Sequence, residues 1–147
     1  MATRFVFDTT VFIYAIGGEH LYRDPCRGIV ARAQREPVEG GASAQVIQEL
    51  AHLVLRRTGD GGRARAEARA AAAFCRPVYD LEWPDLQRAL DLVARAPGLD
   101  VADAVSAATA LNRGIGAILS ADRDFDAVPE LERIDPADAR AVEALLG

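Results

Sequence analysis

The sequence predicts an α/β domain with three α/β/α layers, built around a mainly parallel sheet of four to five strands. Short apolar runs typical of buried strands alternate along the chain with longer segments that have helical spacing of apolar residues. The first run, Phe5–Phe7, is a continuous apolar triplet, as in strands that helices cover on both faces. The 147 residues match the length of one ordinary domain, so we expect a single domain over residues 1–147.

The first strand is predicted at residues 4–8, where the apolar triplet ends at an aspartate. Thr9 and Thr10 are candidate caps for a short helix at residues 11–16, because hydroxyl side chains can accept hydrogen bonds from the first helical N–H groups. A pair of glycines ends this helix. The stretch therefore predicts a strand, a tight turn and a helix in immediate succession.

A second helix is predicted at residues 24–36, because Pro25 suits the first turn of a helix. A short strand follows at residues 38–42, and Ser43 is a candidate cap for the next helix. That helix is predicted at residues 45–58, where the apolar residues recur at the spacing of one buried face.

The glycine-rich residues 59–62 predict a loop that ends the third helix. Residues 63–74 are rich in alanine and predict a helix by propensity. A strand is predicted at residues 76–81 from its β-branched and aromatic residues, and another helix at residues 82–96.

Asp100 is placed to cap a helix at residues 101–113, after a Pro-Gly break in the chain. Residues 117–120 predict a further strand and residues 130–134 the last one. From residue 135 onward we expect a helical tail. Strands and helices thus alternate, which is the pattern of a parallel sheet with helical crossovers.

The composition favours a cytoplasmic protein with no membrane-bound part. No apolar run approaches the ~18 residues of a membrane span, and Asp8 interrupts the one candidate for the apolar core of a secretory signal. Cys26 and Cys75 are far apart and lack metal-ligand spacing, so we interpret them as small apolar residues rather than zinc ligands.

Charge is distributed unevenly along the chain. The net charge of −5 argues against general adhesion to nucleic acid, yet residues 56–76 hold six arginines and two acidic residues. This basic segment is a candidate for contact with a phosphate backbone, although a solvated face or an acidic protein partner would explain it equally.

Acidic residues are predicted to converge at one edge of the sheet. Asp8 ends the first strand, and Asp122 lies two residues after Ser120 at the tip of the strand predicted at residues 117–120. Ligands bind beyond the carboxyl ends of strands in such sheets. Glu49 lies at the border of a buried helical stripe, and Asp103 lies in the first turn of its helix, where it complements the helix dipole.

Four carboxylates in one pocket repel one another and need a counterion. Mg²⁺ or Mn²⁺ is the expected one, because such hard cations take oxygen ligands and leave room for phosphate oxygens. A metal held in this way can activate a water molecule against a phosphodiester. The pattern therefore predicts metal-dependent hydrolysis of a nucleic-acid backbone.

Four motifs in order along residues 4–134 resemble those of one known family. They are FVFDTTVFIYA, QVIQEL, GLDVADAVSAATAL and ILSADRDFDAV. Together they resemble the PIN-domain ribonucleases, most closely the VapC toxins of prokaryotic toxin–antitoxin pairs. The resemblance implies a PIN-like fold for the domain.

The resemblance also assigns the site residues. Its catalytic and metal-binding residues are Asp8, Glu49, Asp103 and Asp122, and its supporting residues are Thr9, Thr10, Ser120 and Asp124. Thr10 stands where the family often has Asn or Ser. Asp124 lies so close to Asp122 in sequence that either one is a candidate to face the metal.

The activity that the resemblance implies is that of an Mg²⁺- or Mn²⁺-dependent endoribonuclease, the toxin of a type II toxin–antitoxin system, leaving 5′-phosphate and 3′-hydroxyl ends. It further implies inhibition by a small VapB-like antitoxin that enters the active-site groove, and a homodimer formed through helical surfaces. The candidate RNA-binding residues are Arg56, Arg57, Arg65, Arg69 and Arg123.

Other classes of protein also place acidic residues after strands. Phosphatases of the haloacid dehalogenase type carry Asp-x-Asp there, but Thr10 replaces the second Asp and the chain has no Lys. A receiver-like signalling domain would also require a Lys. A non-catalytic PIN domain, or a housekeeping PIN domain in RNA processing, is the remaining alternative.

Each acidic residue has a purely structural interpretation as well. Asp8 and Asp122 could cap the turns that follow them, Asp100 could cap its helix, and Glu49 could be a solvated helical residue. His52 lies one turn after Glu49, and we assign it no catalytic task, because a metal-activated water needs no such base.

Overall fold

The structure is a computed structural model, and it describes residues 3–147. The strands are β1 (Phe5–Phe7), β2 (Gly40–Ser43), β3 (Val78–Tyr79), β4 (Ala117–Leu119) and β5 (Glu132–Ile134). The helices are α1 (Thr9–Ile16), α2 (Arg23–Arg35), α3 (Ala44–Thr58), α4 (Gly61–Phe74), α5 (Trp83–Arg95), α6 (Val101–Leu111) and α7 (Ala139–Leu146), with a 3₁₀ helix at Arg123–Ala127.

The five strands form one sheet in the order β3-β2-β1-β4-β5, and every pair is parallel. The predicted parallel sheet of four to five strands is therefore confirmed. β1 lies at the centre, hydrogen-bonded to β2 on one side and β4 on the other. Its carboxyl end is consequently surrounded by the ends of two neighbouring strands.

The apolar triplet of β1 divides its side chains between two cores. Phe5 and Phe7 pack into a cluster with residues of α1 to α4 and α7, whereas Val6 packs with residues of α5 and α6. Successive side chains of a strand point to opposite faces of the sheet. Both faces of the sheet are thus covered, which gives the three predicted layers and explains why β1 shows no polar alternation.

Two predicted boundaries were wrong in the first third of the chain. Asp8, not Thr9 or Thr10, is the N-cap of α1, and the two threonines lie inside the helix. β2 covers Gly40–Ser43 rather than residues 38–42. Glycine gives no strand signal in sequence, but here it is required by packing: a Cβ on Gly40 would lie 2.5 Å from the ring of Phe5.

The predicted loop at residues 59–62 is also shorter than expected. Asp60 accepts a hydrogen bond from the N–H of Arg63 and caps α4, so the helix already begins at Gly61. Of the three glycines in this loop, only Gly59 adopts positive φ, at 66°, where it ends α3. The capping roles predicted for Ser43 and Asp100 are confirmed, since each accepts from the N–H three residues later.

Two further findings bear on the composition arguments. Cys26 and Cys75 are both buried and free, as expected of small apolar residues. Among residues 3–147, no helix combines the length and the apolar character that crossing a membrane would require.

Candidate active site

Asp8 lies at the centre of the carboxyl edge of the sheet. Its backbone N–H donates to the carbonyl oxygen of Leu119 at 3.1 Å, which continues the pairing of β1 with β4. The next residue of that strand, Ser120, therefore lies beside Asp8. Because Asp8 also caps α1 through the N–H of Thr10, its carboxylate is directed along the start of this helix, where the helix dipole favours negative charge.

Two hydroxyl groups hold the Asp8 carboxylate by one oxygen. Oδ2 of Asp8 accepts from the Ser120 hydroxyl at 2.6 Å and from the Thr10 hydroxyl at 2.7 Å. These hydroxyls in turn accept backbone N–H groups of Asp122, at 3.0 Å, and Ala121, at 3.1 Å. Thr10 and Ser120 thus tie the Asp8 turn to the loop that carries Asp122.

Burial controls the protonation of Asp8. Only 4% of its surface is exposed, and this desolvation raises the pKa of its carboxyl group above the ordinary value. The hydrogen bonds from Ser120 and Thr10 act in the opposite direction, because they favour the charged form. A nearby cation would favour the charged form as well.

Glu49 approaches the same edge of the sheet from α3. Ser43 ends β2 and caps α3, so the helix starts at the carboxyl edge and Glu49 follows within two turns. Burial raises the pKa of Glu49, and the charges of Asp8 and Asp100 raise it further, whereas Gln45 and Thr9 lower it. The Thr9 hydroxyl oxygen is buried and has no hydrogen-bond partner within the described part of the chain.

The pKa of Asp103 is also raised. Burial, followed by the charges of Asp8, Asp100, Asp122 and Glu49, raises the pKa of its carboxyl group to about 8. Because the charges of Asp8, Glu49 and Asp122 act on Asp103 in addition to its burial, the four predicted site residues share a region. Their assignment as metal ligands stays a prediction.

Asp100 belongs to this field in addition to capping α6. Its charge raises the pKa values of Glu49, Asp103 and Asp124. The sequence predicts chiefly a capping role for Asp100, and the cap is present. The signal for its second role was the spacing Asp-x-x-Asp, since an N-cap and the third helical residue lie on the same helical turn.

Asp122 and Asp124 flank the start of the 3₁₀ helix. Asp122 caps it, accepting the N–H of Asp124 on Oδ1 at 2.9 Å. One carboxylate oxygen from each of Asp103, Asp122 and Asp124 lies within 4.8 Å of the others. Both members of the aspartate pair therefore lie near Asp103. Asp122 caps the 3₁₀ helix and also lies in the predicted site.

Arg133 fastens this loop, and the sequence argument did not single it out. Its guanidinium group donates to the carbonyl oxygen of Ser120 at 3.1 Å and to Asp126 at 2.9 Å, and it lies 3.6 Å from Asp135. Only 11% of its side chain is exposed. Nothing in the local pattern distinguishes Arg133 from an outward-facing strand arginine.

The five predicted RNA-binding arginines differ in whether they line a groove at the site. All five are exposed. Arg57 alone of the five lines a groove of about 150 Å³ that also contains Glu49. We call this the α1–α3 groove; its lining residues are Thr9, Thr10, Ile13, Tyr14, Glu49, Leu53 and Arg57.

Comparison with known proteins is consistent with this geometry. The family model described as "PIN domain" matches residues 5–131, which cover all four acidic residues. The chain belongs to the PIN-domain family. The resemblance drawn from the four motifs is thereby confirmed.

Two curated relatives of this PIN domain come from Mycobacterium tuberculosis. Ribonuclease VapC7 is 39% identical over 146 residues, which cover 97% of each chain. Ribonuclease VapC23 is 30% identical over 117 residues, covering 78% of this chain and 90% of the relative.

Solved structures share the fold at lower identity. M. tuberculosis VapC20, described as a toxin that cleaves the sarcin-ricin loop, superposes with a TM-score of 0.66 at 23% identity, over 84% of this PIN domain and 93% of that chain. VapBC2 from Rickettsia felis, bound to a DNA fragment from its promoter, superposes with a TM-score of 0.68 at 12% identity. The match covers 90% of this chain and 98% of that chain. FitAcB from Neisseria gonorrhoeae superposes with a TM-score of 0.68 at 16% identity, over 91% of this chain and 99% of that chain.

Proposed function

We propose that this PIN-domain protein is a metal-dependent endoribonuclease and the toxin of a type II toxin–antitoxin pair. The observation that carries the proposal is the set of four carboxylates at one edge of the sheet, in a chain 39% identical to Ribonuclease VapC7 over nearly its full length. A cytoplasmic location fits an RNA substrate.

The residues at the site fit Mg²⁺ or Mn²⁺. All the candidate donors are carboxylate or hydroxyl oxygens, which are the ligands that hard divalent cations take. Burial raises the pKa of Asp103 to about 8 together with the charges of neighbouring carboxylates, which a bound cation would neutralise. In addition, the buried Thr9 hydroxyl and the Gln45 amide oxygen lack hydrogen-bond partners among the described residues.

We assign the metal to Asp8, Glu49, Asp103 and Asp122, with Asp124 available as a further donor. The bound ion would supply an activated water and neutralise charge on the phosphate. The chain itself contributes positioning: Ser120 and Thr10 hold Oδ2 of Asp8, which leaves Oδ1 free of those three hydrogen bonds. Likewise, Asp122 uses Oδ1 in its cap, and one of its carboxylate oxygens lies within 4.8 Å of oxygens of Asp103 and Asp124.

Cleavage of RNA by the purified chain tests the proposal. We expect cleavage with Mg²⁺ or Mn²⁺, loss of cleavage in EDTA, and a loss of at least about 100-fold in Asp8→Asn. Asp91→Asn is the matched control, because Asp91 is an exposed acidic residue on α5, away from the site. Cleavage that survives both EDTA and Asp8→Asn would exclude this mechanism.

We further propose a small VapB-like antitoxin as a partner and a homodimer as the assembly. One structural neighbour, VapBC2 from Rickettsia felis, is bound to a fragment of its promoter DNA, so such proteins form on this fold. A short reading frame directly upstream, whose product co-purifies with this chain and blocks RNA cleavage, is the expected result. The mass of the isolated chain by light scattering tests the dimer. An active chain with no inhibitory partner would favour the housekeeping alternative.

A further inference from the structure

The α1–α3 groove leads away from the metal site towards Arg57. Glu49, Leu53 and Arg57 are spaced four residues apart, so they lie along one face of α3. With a rise of 1.5 Å per residue, Glu49 and Arg57 are separated by about 12 Å along the helix axis. Thr9 and Tyr14 line the opposite wall, on α1. A ligand in this groove would therefore have one end beside the metal carboxylates.

A stack of three rings supports the α1 wall. The centroids of Tyr14 and His20 are 4.5 Å apart with 27° between their planes, and Tyr22 lies 5.3 Å from Tyr14. Tyr22 is anchored, because its hydroxyl donates to Asp135 at 3.0 Å and its N–H donates to Nδ1 of His20 at 3.1 Å. Tyr14 thus presents a supported aromatic ring to the groove.

Arg57 supplies a positive charge at the far end. It is exposed, and within residues 3–147 no carboxylate comes within 4.0 Å of it. Arg32, by contrast, lies in the last turn of α2 and pairs with Glu36 and Glu143. The lining of the groove consequently combines apolar and aromatic side chains with an unpaired guanidinium group.

We propose that the α1–α3 groove binds one nucleotide of a single-stranded RNA, beside the phosphate at the metal site, with its base against Tyr14 and its phosphate at Arg57. Unpaired bases stack on aromatic side chains, whereas the bases of a duplex are already stacked on one another. Arginine contacts the backbone without reading sequence. This inference rests on the proposed ribonuclease function and names the substrate class of the same site.

Binding can be measured separately from cleavage. All variants are made in an Asp103→Asn background, which we expect to prevent cleavage, and intact RNA on a gel after each measurement checks this. The probe is a fluorescein-labelled RNA single strand of mixed sequence and about 12 nucleotides, within the site size of single-strand-binding folds. Affinity is read by fluorescence anisotropy at several salt concentrations, and thermal unfolding shows that each variant is folded.

We expect Tyr14→Leu to weaken binding about 5- to 100-fold, because one base loses its stacking partner. Tyr14→Phe keeps the ring and should bind within about twofold of the parent. A 2-aminopurine base scanned along the strand should be quenched at one position by the parent and by Tyr14→Phe, but not by Tyr14→Leu. Equal binding by Tyr14→Leu and the parent would overturn the proposal and leave the groove to a protein partner.

Arg57→Gln should weaken binding about 3- to 10-fold and lower the slope of log affinity against log salt by about 0.7, the value for one phosphate contact on a single strand. Arg35→Gln is the matched control, because Arg35 is likewise an exposed arginine in the last turn of its helix, α2. Indistinguishable salt slopes for these two variants, or equal affinity of the parent for a duplex, would also overturn the proposal.

The outcomes separate this inference from the proposed function. A chain that cleaves RNA, but whose groove variants bind normally, retains its ribonuclease function and loses the groove assignment. A chain that neither binds nor cleaves RNA contradicts the proposed function itself.

Discussion

Ser120 donates its hydroxyl hydrogen to Oδ2 of Asp8 at 2.6 Å, across 112 residues of sequence. The same hydroxyl accepts the N–H of Asp122 at 3.0 Å. A single buried side chain therefore links two predicted metal ligands, Asp8 and Asp122, that lie in the turns after two different strands. It can do so because β1 and β4 are hydrogen-bonded neighbours whose carboxyl ends coincide.

Ser120→Ala should lower the RNA cleavage rate by about 10- to 100-fold, the usual effect of losing a group that orients a metal ligand. We also expect a loss of about 1–2 kcal/mol in the free energy of unfolding at neutral pH, because a hydrogen bond to a buried carboxylate is removed. Ser120→Thr retains the hydroxyl and should keep most of the activity. Equal activity of the alanine and threonine variants would contradict this role.

The stability of the metal-free protein should fall as the pH rises. The pKa of Asp103 is about 8 in the folded chain against an ordinary value of 3.8, and the pKa values of Asp8 and Glu49 are also raised. Between these values the folded state binds more protons than the unfolded state, so its stability decreases from about pH 4 to pH 8. Thermal unfolding in EDTA across this range measures the slope.

Asp103→Asn should flatten that slope and raise the Tm at pH 8 by at least about 2–4 °C, the shift that about 1 kcal/mol produces in a domain of this size. In the parent, Mn²⁺ should raise the Tm more at pH 8 than at pH 6, because the ion competes with the proton on Asp103. The variant should lose this response, and the control Asp91→Asn should keep it. If the stability of the parent in EDTA did not change with pH, the raised pKa values at the site would be contradicted.

Arg133→Gln should weaken Mn²⁺ binding by about 10-fold without touching a metal ligand, because it releases the Ser120 carbonyl and Asp126 at the two ends of the loop. Arg95→Gln is the control, since Arg95 forms an exposed ion pair with Glu130. Losing this pair should change the free energy of unfolding by less than about 1 kcal/mol. The midpoint of an Mn²⁺ titration followed by Tm gives the affinity. Equal midpoints for the two variants would mean that Arg133 is merely structural.

Asp122→Asn should reduce RNA cleavage more than Asp124→Asn, by at least about 100-fold against about 10-fold. Asp122 is half-buried and its charge raises the pKa of Asp103, whereas Asp124 is exposed. Parallel measurement of kcat/KM for both variants decides the order. The reverse order would assign Asp124, rather than Asp122, to the metal.

Local sequence patterns were sufficient for much of the fold. The apolar triplet of β1, the caps at Ser43 and Asp100, and the alternation of strands and helices all depend on residues close together in the chain. The errors at the starts of α1 and α4 concern local caps, Asp8 and Asp60, whereas the error at β2 arose where distant packing selects the residue. Gly40 is in a strand because the rings of Phe5 and Phe7 lie against it, and a glycine shows no such requirement in sequence.

The sequence by itself predicted a set of candidate cation ligands, because Asp8 and Asp122 follow strands and Glu49 and Asp103 lie in the first two turns of their helices. Only the tertiary structure decided that Ser120 and Thr10 share one oxygen of Asp8, that Asp100 joins the field of charge, and that Arg133 holds the Ser120 loop. Each of these depends on strand order and on directions in space, which local periodicity does not specify.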